Sequence, residues 1–218
     1  MRALEPFCEI FEIILIDDGS TDRTGVIMDE LARLHDRIRV IHNGENLGLG
    51  ETYRRGVEAA RYTYFAWLGG DGSCVFHLEL IWPKLLERIG EADSIISYMS
   101  NHRQSKSFLR YIVSISFTCL FRVISGRNIT YFNGISIHKV ESLKNIMIKS
   151  EGFGVESEVL VKLLLQGDTY LEVGLEGKSD KDTGNYSNAV SCRNVYRVLR
   201  TICHLLWFRI TSRSNSRK

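Results

Sequence analysis

The 218-residue chain has no pair of cysteines in a CxxC spacing. Its five cysteines, Cys8, Cys74, Cys119, Cys192 and Cys203, are scattered and odd in number. That argues against a disulfide framework and a zinc site, and a reducing compartment is the natural setting. No uninterrupted apolar run reaches the roughly 18 residues of a membrane-spanning helix. The nearest, Phe108 to Ile124, is broken by Arg110 and Arg122. Glu5 and Glu9 stand in a start with no apolar stretch, so no signal peptide is expected. Neither GxxxxGKS nor GxxxxGKT occurs, and Gly48-Leu49-Gly50-Glu51-Thr52-Tyr53 lacks the third glycine of GxGxxG. P-loop sites and nicotinamide or flavin Rossmann sites are thereby excluded. No acidic residue follows Asp182, whereas Arg193, Arg197, Arg200, Arg209, Arg213, Arg217 and Lys218 do. Net charge is only +2, so the basic end, not the whole chain, suggests an anionic partner. That partner is a membrane surface. Nucleic acid is not expected, because no recognised nucleic-acid module is present.

What the chain does have is an apolar run driving into acids: Phe11-Glu12-Ile13-Ile14-Leu15-Ile16-Asp17-Asp18-Gly19-Ser20-Thr21-Asp22. This reads as a buried parallel strand, Phe11–Ile16, ending in a turn. In an open α/β sheet, ligands sit beyond the carboxyl ends of the strands. Asp22 is placed to cap a helix over Arg23–His35, with Val26, Ile27, Leu31 and Leu34 on one side. Ile38–Ile41 reads as the next strand and Leu49–Arg61 as the next helix. Tyr64–Leu68 is a strand running into a second acidic loop, Gly69-Gly70-Asp71-Gly72-Ser73. Leu78–Ile89 reads as a helix, with Pro83 as an alternative start, and Ser94–Tyr98 as a strand. Such alternation means βαβ units and a parallel sheet.

In the second half Ser107–Ser125 reads as a long apolar-rich helix and Ile129–His138 as extended. Val155–Gln166 is a helix and Thr169–Val173 a strand. Val195–Ile210 is an amphipathic helix. Its apolar face carries Val195, Val198, Leu199, Ile202, Leu205 and Leu206, and its polar face Arg193, Arg197, Arg200 and His204. The two acidic loops should open on one edge of the sheet. Carboxylates there can hold a ribose, a base or a divalent cation, and Mg²⁺ needs only one or two of them beside phosphate oxygens. Asn43-Gly44-Glu45-Asn46-Leu47-Gly48 leads into a helix start, whose amides suit an anion.

Strand–DDGSTD–helix–strand–N-x-G–helix–strand–D-G resembles the family 2 glycosyltransferases of the GT-A fold. The residues carrying this are Asp17 to Asp22, Asn46-Leu47-Gly48 ahead of a helix with Gly56 and Ala59, and Asp71. Further on come Tyr131-Phe132-Asn133-Gly134 and Gly152-Phe153-Gly154 ahead of Glu156 and Glu158. Within the family the chain most resembles the dolichol-phosphate mannosyltransferase-like branch. The resemblance spans Glu5 to Ser187. It implies a GT-A (nucleotide-diphospho-sugar transferase) fold, with a mostly parallel sheet flanked by helices and C-terminal amphipathic helices. It divides the chain into a glycosyltransferase domain, 1–190, and a basic helix and tail, 191–218.

The implied activity is inverting transfer of a hexose from a GDP- or UDP-sugar to polyprenyl or dolichyl phosphate, on the cytoplasmic face of a membrane. By the same match, Asp17, Asp18, Gly19, Ser20, Asp22, Asn46, Gly48 and Asp71 bind the nucleotide sugar. Asp71 also holds Mg²⁺ or Mn²⁺. Arg110 and Ser114, with Arg103 as a second candidate, meet the acceptor phosphate. Lys181 stands where relatives carry an arginine near the diphosphate. An acceptor that is already an anion needs neutralisation and in-line positioning more than a base. Glu156 and Glu158 lie where relatives with hydroxyl acceptors carry a base. The plainer reading makes them solvated acids favoured by the helix dipole. The family opens with a further strand and a P-x-Y/F-N-E loop, and only Met1 to Glu9 precede Phe11, so the expectation is either a truncated start or a sheet lacking that strand, which would leave two strands unpaired. Two alternatives are a family 2 transferase acting on a glycan or lipopolysaccharide hydroxyl, and a non-catalytic remnant.

Overall fold

Runs of β-branched residues bounded by turn residues set the strands, and apolar residues at helical spacing set the helices between them. The computed structural model describes residues 4–70, 78–101, 108–152, 154–178 and 192–215. The first half runs β1 (Ile13–Asp17), α1 (Thr24–Leu34), β2 (Ile38–His42), α2 (Leu49–Ala59), β3 (Tyr64–Ala66), α3 (Leu78–Leu86) and β4 (Ser94–Met99). The second half runs α4 (Phe108–Ser125), β5 (Ser136–Lys139), α5 (Val140–Lys144), α6 (Val155–Gln166), β6 (Tyr170–Leu175) and α7 (Cys192–Asn215).

The strands form two ladders. β1 and β2 pair in parallel, Ile13 opposite Ile38 through Asp17 opposite His42. The other ladder has the order β3–β5–β4–β6. β4 and β6 are parallel, and β5 runs against both β3 and β4. The stretch expected to be extended, Ile129–His138, is strand only from Ser136. Before that, Ile129 and Phe132 are buried in the core rather than laddered, and Arg122 Nε donates to the Ile129 carbonyl at 2.6 Å. Gly134 then passes so close to β4 that a Cβ would lie 1.9 Å from the Ser97 carbonyl oxygen. Only glycine permits that approach.

Three apolar clusters hold the layers. Ile96, Phe121, Ile124, Ile129, Phe132, Leu160, Leu164 and Leu205 join β4 to α4, α6 and α7. Tyr53, Val57, Leu143, Val155, Val159 and Leu163 join α2 to α5 and α6. Ile81 and Leu85 pack α3 against Ile95, Met99, Ile137 and Leu175 of the sheet.

Two helices present faces other than those the spacing indicates. Val26, Ile27, Leu31 and Leu34 of α1 are exposed, and Gly25, Met28, Asp29 and Ala32 are the sheltered positions. Polar contacts decide this. His42 bridges Asp17 Oδ2 (3.2 Å) and Asp29 Oδ1 (3.0 Å), and a Cβ on Gly25 would lie 2.7 Å from that same Asp17 oxygen. The helix is therefore turned with Gly25 and Asp29 inward. Asp22, expected as the cap, stands one residue before the observed one, Arg23, yet its carboxylate still accepts from Thr24 N at 2.9 Å. On α7, Thr201 and Leu205 are buried and His204 turns toward Lys162, whereas Leu199 and Leu206 are exposed. Thr201 is fixed by the Ser150 hydroxyl at 2.9 Å.

Phe121 is fully buried, stacked on Phe117 and tilted against Phe132. Phe121→Ala is expected to lower stability by about 3–5 kcal/mol in urea denaturation. A loss below about 1 kcal/mol would show that this cluster does not hold the helices on the sheet.

Candidate functional site

β1 ends on Asp17, which is buried, and the chain then turns at Gly19 with φ +74°. A side chain at Gly19 would strike the Glu45 and Asn46 backbone at 2.6 and 2.7 Å. The turn after β1 and the turn after β2 therefore lie in contact. Asp18 fastens them. Its Oδ1 accepts from Asn43 Nδ2 (2.8 Å) and Leu47 N (2.9 Å), and its Oδ2 from Gly48 N (2.9 Å). Burial works to raise the Asp18 pKa, but those donors and the Thr52 hydroxyl outweigh it and hold the carboxylate below its usual range. Asn43 is itself buried and accepts from Arg55 Nη1 at 2.6 Å. Asp17 is lowered chiefly by the Ser20 hydrogen bond, with its N–H donating at 2.9 Å, and by His42. Asp22 is lowered by Thr24.

Gly48, with φ +84°, delivers the chain into α2, and a Cβ on Gly50 would lie 1.9 Å from the Ser150 carbonyl oxygen. The α2 start thus rests on the loop before α6. The same loop meets α7: Glu151 pairs with Arg200 at 3.0 Å, and Gly152 lies beside Arg197. Ser20, Asp22 and Asn46 are exposed around this corner.

Glu156 and Glu158 are not solvated acids at a helix start. Glu158 is 0% exposed and accepts from Ser150 N (2.6 Å), Lys149 N (3.0 Å) and Lys162 Nζ (2.5 Å). Burial raises its pKa, and these partners more than reverse that. Glu156 faces a cavity of about 10 Å³ ringed by Tyr53, Trp67, Gly134, Ser136 and His138. Burial pushes its carboxyl up to about 8, against a hydrogen bond from Trp67. His138, whose ring lies 2.8 Å from the Ser94 hydroxyl, is pushed down to about 4 by burial and is neutral. Tyr131 rises to about 12, through burial and then the nearby Glu156. Asn133 accepts from the Ser157 hydroxyl and so ties its turn to the first turn of α6.

Trp67 follows β3 directly, so Glu156 sits under the segment leading to Asp71. Asp71 itself, Arg103 and Lys181 lie outside the described residues. Arg110 stands in the first turn of α4, its side chain outside the described set, and Ser114 is one turn further on. The structure brings together Asp17, Asp18, Gly19, Ser20, Asn46 and Gly48. Sequence reasoning missed Arg55 and Thr52 as parts of this corner, and named Asn43 only within the stretch leading to α2. Asn43 follows the second strand as Asp17 ends the first, which is the signal that could have found it. Among the described residues no three His, Cys, Asp or Glu side chains gather as a metal site. Asp17 and Asp18 are each engaged by hydrogen-bond partners.

The model of glycosyl transferase family 2 matches residues 2–150. The chain belongs to that family. It is 27% identical to the undecaprenyl-phosphate mannosyltransferase of Micrococcus luteus, over 74% of this chain and 70% of that one. It is likewise 27% identical to an uncharacterised protein of Methanocaldococcus jannaschii, over 74% of each. Other relatives are matched in smaller part: the chain spans 17% of the glycosyltransferase EpsJ of Bacillus subtilis and 30% of the glycosyltransferase AglD of Haloferax volcanii. Glucosyl-3-phosphoglycerate synthase of Mycobacterium tuberculosis, solved with Mg²⁺ and UDP, superposes with a TM-score of 0.64 at 19% identity, covering 94% of this chain and 72% of that one. The family 2 fold is therefore GT-A.

Glu156 gives stability a pH signature. Its carboxyl is protonated in the fold up to about 8 but ionises near 4.5 in the unfolded chain. Across that window the unfolded chain binds fewer protons, so stability falls as pH rises, by at most about 1.4 kcal/mol per pH unit. Glu156→Gln removes that slope. Urea titrations at pH 5, 6.5 and 8 should show the variant gaining on the parent with pH. Parallel curves would show that Glu156 is ionised in the fold.

Proposed function

We propose that this family 2 enzyme transfers a hexose from a nucleotide diphosphate sugar to a polyprenyl phosphate. One observation carries the choice of acceptor. Of the two acids placed to serve as a base, Glu158 is buried and locked by Lys162 and two amides, which leaves only Glu156, with burial disfavouring its ionised form. A hydroxyl acceptor needs a base to take its proton. A phosphate acceptor is already a nucleophilic anion and needs cations and alignment. The Micrococcus luteus relative, by its name, acts on undecaprenyl phosphate, and polyprenol monophosphomannose synthase of Mycolicibacterium smegmatis is 37% identical over 30% of this chain and 26% of that one.

In this reading Asp17, Gly19, Ser20, Asp22 and Asn46 face the nucleoside, with Asp18 and Gly48 acting by holding the loop. Asp71 and the diphosphate oxygens would hold Mg²⁺ or Mn²⁺, which neutralises the leaving diphosphate when bound. The chain's own cations do the rest. Arg110, with Arg103, draws the acceptor phosphate, Ser114 orients it, and Lys181 offsets charge on the donor. Attack by the acceptor oxygen opposite the diphosphate gives inversion.

A lipid acceptor requires contact with a bilayer. Phe108, Ile112, Val113, Ile115, Leu120 and Val123 of α4 are exposed, as are Leu199, Leu206, Trp207 and Ile210 of α7. Arg209 reaches from α7 to the Val123 carbonyl of α4 and joins the two helices. Among the described residues no helix is long and apolar enough to cross a membrane. Apolar faces with arginine beside them suit an interfacial helix on an anionic cytoplasmic leaflet.

The test is transfer of radiolabel from GDP-mannose or UDP-glucose with Mg²⁺, offering undecaprenyl phosphate or an oligosaccharide. Label is expected in the lipid. Asp71→Ala should lower turnover about 100-fold or more. Arg110→Ala should raise KM for the lipid about 10-fold and leave the donor KM unchanged. Label entering only the oligosaccharide, or undiminished turnover by Asp71→Ala, would overturn the reading.

A further inference from the structure

β2 ends on His42, and the ring of that residue is held from two elements. Its Nδ1 lies 3.2 Å from Asp17 Oδ2 at the end of β1, and its Nε2 lies 3.0 Å from Asp29 Oδ1 of α1. Gly25, one turn before Asp29, makes room for both. A Cβ there would lie 2.7 Å from Asp17 Oδ2 and 3.3 Å from the His42 ring. The ring and the Asp17 carboxylate therefore sit together against the first turn of α1.

This geometry assigns the ring its charge. A neutral imidazole has one N–H and one lone pair, whereas an imidazolium donates from both nitrogens. Here each nitrogen faces a carboxylate oxygen, so either neutral tautomer points a lone pair at an anion. Asp29 of α1 and Asp17 of β1 are the charged groups that face the ring, and their hydrogen bonds, Asp29 first, hold its pKa above the ordinary 6.5. The two acids differ in shelter. Asp29 is 46% exposed, so water can stand in for the ring, whereas Asp17 is 9% exposed. Asp17 Oδ1 is taken up by Ser20 N, and the ring is the partner of Oδ2. Asp22 stands near enough that its charge and that of Asp17 oppose one another. Loss of the ring proton removes a cation from this acidic turn and leaves one of the two bridges facing a lone pair.

We propose that His42, as its imidazolium, is a positioning residue for the nucleoside: it holds the Asp17 carboxylate against α1, and nucleotide affinity falls when the ring loses its proton. This deepens the transferase reading and rests on Asp17 facing the nucleoside. His42 acts through Asp17 and touches no ligand itself. The sign follows from the bridge. The imidazolium is complete below about 6.5 and is lost as pH rises through the higher value of the folded protein, so affinity is greatest on the acid side. An anionic ligand gains on the same side, because a cation then stands among the acids it approaches.

The test reads Kd for UDP and for GDP by calorimetry on the full chain between about pH 6 and 9, beside His42→Gln and Asp29→Asn. The ratio of variant to parent Kd cancels the ionisation of the nucleotide itself. For His42→Gln that ratio should be about 10 at the acid end and fall toward 1 at the alkaline end. Asp29→Asn removes the larger support of the ring proton and should move the loss of affinity to lower pH. In the parent alone, saturating nucleotide should raise the His42 ring pKa read by NMR, by about one unit for a tenfold coupling. Inorganic diphosphate should leave it in place. A parent that binds neither nucleotide removes the nucleoside reading and the proposal with it. A parent that binds with a ratio flat in pH, or with a ring pKa that nucleotide does not move, keeps that reading and overturns the proposal. An equal rise with diphosphate alone puts the coupling on phosphate charge rather than on Asp17 and overturns it too. Should His42→Gln misfold, the ring titration of the parent still decides.

Discussion

The geometry of the corner where β1 and β2 end depends on one carboxylate. Asp18 collects Asn43 Nδ2, Leu47 N and Gly48 N within 2.9 Å and so joins the turn after β1 to the turn before α2. A carboxylate that accepts several N–H groups gains more than a neutral acceptor would, and the amides it satisfies would otherwise be left unpaired at a helix start. The glycines follow from that joining. Gly19 and Gly48 adopt positive φ because the two turns must approach within contact, and Gly50 is glycine because α2 must rest on Ser150.

The chain of support continues into the second half. Ser150, beneath Gly50, donates its amide to Glu158, and its hydroxyl meets Thr201 of α7. Glu158 and Lys162 are buried together, an arrangement whose desolvation cost is met only when the remaining partners are supplied. Here the Lys149 and Ser150 amides, the Met147 carbonyl and His204 supply them. His204 is held below its usual pKa by burial and then by the Lys162 cation beside it. Glu158, one of the two acids in the first turn of α6, is thus committed to structure.

Much of this was legible in the residues. The run Ile13 to Asp17 announced a strand ending in acids because apolar periodicity and turn chemistry change at one residue. Asn46-Leu47-Gly48 announced a helix start for the same reason. Less legible was which face each helix buries. On α1 the apolar stripe gave way to Gly25 and Asp29, because a His42 bridge between two carboxylates fixes the rotation and a hydropathy pattern contains no such bridge. For Glu156 and Glu158 the sequence offered a base or a solvated helix start, because acids at a helix N-terminus are usually solvated. Glu158 is instead buried with Lys162, and Glu156 is sheltered beside Trp67, distant in sequence. The reversal of β5 was hidden because a four-residue strand carries no direction in its sequence. The separation of the β1–β2 ladder from the other strands was the part that resemblance, rather than periodicity, brought out.

The role proposed for Asp18 is to serve the nucleotide through the loop it holds. Titration calorimetry with UDP and GDP on Asp18→Ala, Asn43→Ala and the double variant measures this directly. Each single change should weaken binding, and the pair should lose little more than the worse single one, because both release the same loop. Losses that add in full would show Asp18 touching the nucleotide independently and would contradict the account.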